Sequence, residues 1–323
     1  VQKKKDYVAM WFNVRKELGI SDEIHAGWYD HNTKTMQWTS YEHAKMDGMG
    51  LYAHELRKYG YPCTPLPTNR DTSEPKFFDV LKKQRQAKYQ DTAPKKIRWK
   101  ETFEYSNSDR GELECIILDE AATLKLKEKA AAQNVSVATI IFYSLNKMVA
   151  SELLDGEQEY YWLYPVNMRG AVKLEDETMN HSSGFNLALN TKSTAKEIQD
   201  IVRDKLKSQS HWMLWKLAHI GKWIGHAGVK RIYISSSKKN FFAGSLSYLG
   251  SWPIPDERNS GERKDDVLAC CGTGSKNYPI STGVTEWYGK MSIALKLHPY
   301  IGKKPGLTKH CLEQWQKNLT DSN

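Results

Sequence analysis

The chain has little of what would commit it to a small stapled domain, a membrane span or a disordered tail. Its five cysteines, Cys63, Cys115, Cys270, Cys271 and Cys311, are odd in number, contain no Cys-x-x-Cys pair and follow no regular spacing. Neither a disulfide framework nor a zinc site is written into them, and a reducing, cytoplasmic setting is expected. The vicinal Cys270 and Cys271 read as buried thiols on a strand. The longest apolar runs, such as Ala138 to Tyr143, fall far short of the ~20 residues that cross a bilayer, and no charged-then-apolar leader opens the chain. No membrane span or export is predicted. With 11 Pro and 21 Gly in 323 residues, 40% of them hydrophobic, disorder and collagen-like repeats are excluded. A Gly-x-Ser-x-Gly elbow is missing, which argues against a serine-hydrolase triad. Gly272-Thr273-Gly274-Ser275-Lys276 lacks the spacing of a phosphate loop and reads as a loop between strands. No repeat of 20–50 residues is visible.

What the sequence does have is positive charge and tryptophan. Lys and Arg number 47 against 38 Asp and Glu, a net charge of +9, so the expected partners include nucleic acid, an anionic surface or a phosphate-bearing cofactor. The basic residues are dispersed in short groups (Lys3 to Lys5, Lys82-Lys83, Lys95-Lys96, Lys238-Lys239, Lys303-Lys304), the pattern of a solvated surface. Eleven tryptophans favour a large aromatic core or an apolar tunnel.

Hydrophobic periodicity predicts a helix over Tyr7 to Leu18, two short strands at Ile24 to Trp28 and Thr35 to Ser40, and a helix from Gly48 to Tyr59. A proline-rich, charged connector from Pro62 to Pro94 separates an N-terminal lobe, residues 1–94, from a C-terminal lobe, residues 95–323. Beyond it, strands are expected at Trp99 to Tyr105 and Gly111 to Leu118, the latter buried on both faces. Helices are expected to Ala132 and from Val135 to Ala150, the second capped by Ser136. Tyr160 to Val166 and Gly184 to Leu189 read as strands. Thr194 to Ser208 reads as an amphipathic helix and His211 to His226 as a single Trp-rich helix packed through Trp212, Trp215 and Trp223. Its histidines His211, His219 and His226 are too far apart to share a metal and read as exposed or capping. Phe241 to Tyr248 and Leu268 to Cys271 read as short strands, and a closing hairpin turns at Tyr288-Gly289. The class is mixed α/β.

One segment carries chemistry. Glu42-His43-Ala44-Lys45-Met46-Asp47-Gly48 has the form HxxxDG and lies between a strand and a helix. Random placement would produce such a match roughly 0.03 times in this composition. A histidine at a strand end can project into a cleft and take a proton from a hydroxyl, amine or thiol. Asp47, buried behind it, needs a partner, most naturally an arginine. Gly48 is expected to let the chain turn tightly.

This motif, with the segments that follow it, resembles the chloramphenicol acetyltransferase-like superfamily, which includes nonribosomal peptide condensation domains, wax ester synthases and alcohol acyltransferases. The resemblance extends over roughly residues 24–300. It rests on HxxxDG, on the 118–141 helix pair, on Tyr164-Pro165-Val166-Asn167-Met168-Arg169-Gly170, on Asn180-His181-Ser182-Ser183-Gly184-Phe185-Asn186-Leu187, and on Ser245-Leu246-Ser247-Tyr248-Leu249-Gly250. It implies two lobes of mixed sheets and flanking helices around a central channel. It also implies that His43 is the general base, that Asp47 and Arg169 form a structural pair, and that Ser247 donates to an oxyanion. Gly48, Asn186 and Tyr248 would line the substrate channel. The implied activity moves an acetyl or other short acyl group from a coenzyme A thioester to a hydroxyl or amine acceptor, which is small or anionic, with no metal and no permanently bound cofactor.

The sequence departs from the family in having Glu42 before the histidine, Tyr248 where asparagine is common, and only 42 residues ahead of His43. The last point implies a shortened N-terminal lobe, or a homo-oligomer such as a trimer whose neighbouring chains complete the site. A nucleic-acid-binding protein, or an acyltransferase acting on a nucleic-acid or nucleotide acceptor, is the alternative expectation from the basic charge.

Overall fold

The computed structural model describes residues 7–61, 63, 66–68, 73–91, 96–106, 109–172, 174–238, 241–252 and 266–321; Lys3 to Lys5, Pro62, Pro94, Lys95 and Lys239 lie outside them. The chain opens with α1 (Tyr7–Glu17), β1 (Glu23–Asp30), β2 (Thr35–Glu42) and α2 (Gly48–Lys58). The connector carries a helix, α3 (Phe77–Arg85), and is followed by β3 (Leu113–Leu118), α4 (Glu120–Ala132), α5 (Val137–Glu152), β4 (Glu159–Asn167), β5 (Ser182–Asn190) and α6 (Ala195–Lys207). Then come α7 (Ser210–His219), α8 (Gly221–Ser237), β6 (Phe242–Ser245), β7 (Tyr248–Ser251), β8 (Leu268–Cys271), β9 (Ile280–Trp287), β10 (Lys290–Leu297), α9 (Pro299–Gly302) and α10 (Leu307–Thr320).

Two sheets organise these elements. A three-stranded sheet has the order β2-β1-β8, and a seven-stranded one runs β3-β10-β9-β6-β4-β5 with β7 also paired to β9. The hairpins β1/β2, β4/β5 and β9/β10 are antiparallel, whereas β6 joins both β4 and β9 in parallel. The β9/β10 turn places Tyr288 and Gly289 at φ 50° and 71°, the pair of left-handed residues a two-residue hairpin with the right twist demands. The larger core lies between this sheet and α4, α5, α6 and α10, with Phe142, Trp162 and Trp315 wholly enclosed. The smaller core packs Leu51, Tyr52 and Leu56 of α2 on Ile24 of β1 and Leu268 of β8.

The helix starts are decided locally. Ser136 accepts from the Thr139 N–H and Asp119 from the Ala122 N–H, while Thr194 and Glu197 satisfy each other's backbone in a capping box. Each such cap contributes about 1 kcal/mol.

Several expectations fail for identifiable reasons. Residues 99–105 do not form a strand. Trp99 makes one isolated bridge with Leu154, and the Lys100 and Phe103 N–H groups donate to Leu153 and Tyr300, so no ladder develops. β3 is not buried on both faces, because it is an edge strand paired only with β10, and only Leu118 in it is buried. The Trp-rich stretch is two helices, with Gly225 inside α8 at φ 64° and ψ −176°. Trp212 and Trp215 pack on Val80 and Met168, but Trp223 is 79% exposed and packs on nothing comparable. His211 is buried rather than exposed, with its carbonyl accepting from Ser183 Oγ. α10, not among the expected elements, buries Cys311, Leu312, Trp315 and Leu319, a helical spacing legible in the sequence.

Candidate active site

The strand β2 ends at Glu42, and the next residues deliver His43 and Asp47 to the helix α2. The His43 peptide N–H donates to Asp22 O at 2.8 Å, and Asn180, itself buried, donates its side-chain amide to His43 O at 2.9 Å. The backbone of this residue is therefore held from two sides. Its ring packs edge-on against Phe12, with centroids 5.0 Å apart. His43 Nδ1 lies 2.9 Å from Met46 O. A carbonyl oxygen only accepts, so Nδ1 carries the proton and Nε2 keeps its lone pair. Nε2 makes no hydrogen bond with the described residues. Burial holds the ring's pKa below the ordinary histidine value; the Arg15 charge acts in the same direction, against the Met46 carbonyl and the charges of Asp47 and Asp22. The imidazole is neutral, and hence basic, around pH 7.

Asp47 is the N-cap of α2, its Oδ1 accepting from the Gly50 N–H at 2.9 Å. Arg169, just beyond β4, donates to both carboxylate oxygens at 2.8 Å, and the His181 N–H donates to Oδ2 at 2.9 Å. The guanidinium is completed by Glu177 O at 2.7 Å and Met179 O at 2.9 Å. Both partners are 4% exposed. This buried two-pronged pair bolts the start of α2 to the β4–β5 connection within a single chain, so no neighbouring subunit is needed to bring Asp47 and Arg169 together.

Gly48 does not turn the chain: it is the first residue of α2, outside the left-handed region, and an added Cβ would sit 3.3 Å from Leu249 Cδ2. The glycine with the stricter role is Gly50, where a Cβ would lie 2.0 Å from Thr178 O. Only hydrogen in that place lets α2 approach the 176–181 segment closely enough for Asp47 to reach Arg169.

His43 opens onto a cavity of about 300 Å³. Gly48, Ser247 and Tyr248 share its wall with Ser182, Ser245, Thr273 and Tyr278. Ser247 sits between β6 and β7; its carbonyl accepts from the Val284 N–H at 2.8 Å, while its own N–H makes only a long 3.4 Å contact with Thr282 Oγ1. Burial pushes the Tyr248 phenol up to about 12, so it stays protonated as a donor. Asn186 is not in this wall. It sits four residues beyond Ser182 on β5, ~13 Å along the strand, and its amide contacts Asp91 at 3.4 Å.

Two parts of the site, Phe12 and Arg15 of α1, line the cavity without belonging to any sequence motif. Asn180, which lies in the 180–187 segment but carries no expected role, clamps His43 from just before β5.

The five thiols are free, and four of them, Cys63, Cys270, Cys271 and Cys311, are buried. Burial raises Cys271 to about 12, so the vicinal pair is inert as a nucleophile. Among the described residues, no group of three or more His, Cys, Asp or Glu could hold a metal ion.

No protein-family model matches the sequence, and no curated protein matches it. Solved structures do. The EpoB NRPS cyclization-docking bidomain from Sorangium cellulosum superposes with a TM-score of 0.53 at 14% identity, over 90% of this chain and 61% of that one. The nonribosomal peptide synthetase FmoA3 in its AMPPNP-bound form gives 0.53 at 12% identity, over 89% of this chain and 31% of that one. The epimerization domain from the third module of tyrocidine synthetase B gives 0.46 at 12% identity, over 88% and 67%. The chain thus spans under two thirds of the length of the first two. The architecture that surrounds His43 is accordingly a mixed α/β fold shared with the EpoB bidomain and FmoA3.

Proposed function

We propose that this chain is an acyltransferase that moves an acyl group from a thioester to a hydroxyl or amine acceptor, with His43 as general base. The observation that carries the reading is the committed tautomer of His43: Nδ1–H is spent on Met46 O in a cavity wall, which leaves a neutral Nε2 as the basic atom. The fold shared with nonribosomal peptide synthetase structures supports it.

In this reaction the acceptor O–H or N–H gives its proton to Nε2 as the heteroatom bonds to the thioester carbonyl carbon. The resulting oxyanion is met by the Ser247 hydroxyl. When it collapses, the C–S bond breaks and the thiolate leaves, taking the proton from Nε2-H, so His43 ends neutral. A positioned base contributes about 10²–10⁴-fold, equivalent to roughly 3–5 kcal/mol of barrier. Asp47 and Arg169 stay out of the chemistry; they hold the strand end and the helix start that aim the ring.

The thioester is carried on a pantetheine thiol, belonging either to coenzyme A or to a carrier protein. Thiol release from an acyl-CoA panel and from an acylated carrier protein, with alcohol and amine acceptors, tests the reading. Acceptor-dependent release by the native chain that disappears in His43→Ala is expected. Equal release by both chains would remove His43 from the chemistry.

A further inference from the structure

The cavity at His43 has an electrostatic imbalance that the acyl-transfer step does not use. Two ionised side chains line it, Asp47 and Arg15. Asp47 is already matched, since Arg169 donates to both of its oxygens and two backbone N–H groups complete them. Arg15 is not matched: among the described residues it forms no ion pair. Its guanidinium has five N–H donors, of which one goes to Ser21 O at 2.9 Å. Its Nε is enclosed and without a hydrogen-bond partner.

The group is nonetheless held in place. Its guanidinium carbon lies 5.5 Å from the ring centroid of Phe12 and 5.5 Å from that of Tyr278, two residues that also line the cavity. Phe12 in turn packs against the His43 ring. A cation clamped between two aromatic rings, beside the reacting histidine and with unspent donors, is a preorganised carboxylate receptor. An uncompensated cation facing a half-enclosed cavity is costly unless a guest brings the opposite charge.

We propose that Arg15 binds a carboxylate on the substrate, so that the chain selects an anionic acyl group or an anionic acceptor over a neutral one of the same size. The identity of the guest as a reactant rests on the acyl-transfer reading; the carboxylate subsite itself does not. A guanidinium-carboxylate pair in a partly enclosed site favours the charged guest by tenfold or more.

The test is equilibrium binding to the full chain carrying His43→Ala, so that nothing is consumed. Succinyl-CoA against butyryl-CoA reads a carboxylate on the acyl group, and 3-hydroxybutyrate against its methyl ester reads one on the acceptor. The charged member of one pair is expected to bind at least tenfold tighter. That preference should vanish on adding Arg15→Gln and persist in part with Arg15→Lys, which keeps the charge and reports on folding. Absence of a charge preference in both pairs, or a preference that survives Arg15→Gln, overturns the proposal. Thiol release by the native chain is read separately. Charge preference without turnover keeps the Arg15 subsite and removes acyl transfer, and turnover without charge preference does the reverse.

Discussion

Replacing Asp47 by alanine should strongly destabilise the protein, and the structure says why. The carboxylate accepts four hydrogen bonds, two from Arg169 and one each from the Gly50 and His181 N–H groups. Removing it strands a guanidinium that is 4% exposed, a loss of about 3–5 kcal/mol, and removes the α2 cap, worth ~1 kcal/mol more. Against the 5–15 kcal/mol that roughly spans domain stabilities, this is a large share of the margin. With a urea slope of about 2–3 kcal/mol/M, the midpoint should fall by roughly 1–3 M. The double variant Asp47→Ala with Arg169→Met no longer holds a buried unpaired charge and should regain part of the loss. Urea unfolding followed by tryptophan fluorescence measures all three chains. A midpoint shift of Asp47→Ala below about 0.3 M, or a double variant no more stable than the single one, would refute the reasoning.

His43→Ala should lower turnover by about 10²–10⁴-fold while leaving the urea midpoint nearly unchanged; a comparable loss of stability would mean the ring is a packing residue. Burial depresses the His43 pKa, so the proton that inactivates the base binds only below the usual histidine range, and kcat/KM should stay level as pH falls through 6.5 before it drops. An acid limb at or above 6.5 contradicts the burial argument. Ser247→Ala should reduce kcat by about 10²–10³-fold with little change in KM, and an unaltered kcat would pass the oxyanion to a backbone N–H. Gly50→Ala places a methyl 2.0 Å from Thr178 O and should cost about 1–3 kcal/mol, read from the urea midpoint, unless α2 can slide without breaking the Asp47–Arg169 pair.

The site was legible where its parts are contiguous. His43 and Asp47 announce themselves because a strand end, a base and a helix cap fall within six residues, and each has a local physical reason to be there. Arg169 could be reached only through resemblance, since nothing in Asn167-Met168-Arg169 distinguishes it from a surface arginine until Asp47 is opposite it. Arg15 was invisible because a cation in the last turn of a helix is also what the helix dipole favours at a solvated end. Asn186 was misplaced for a geometric reason: four residues along an extended strand leave the cavity behind. The strand expected at 99–105 failed because aromatic content supplies a preference but no partner, and its donors are taken singly by Leu153 and Tyr300. Helix caps and the 288–289 turn, whose information is local, sit where the sequence places them.

The three-stranded sheet has a consequence for biogenesis. β8 pairs with β1 through Gly27 and Ala269, positions separated by most of the chain. At ordinary elongation speeds of about 5–20 residues per second, β1 leaves the ribosome roughly 12–50 s before the strand that closes its open side. During that interval the apolar backbone of Ile24 to Gly27 is an unprotected edge, able to recruit other nascent chains. A nascent polypeptide halted before Leu268 should therefore be captured by chaperones, and the completed chain, with β8, β9, β10 and α10 all released, should escape them.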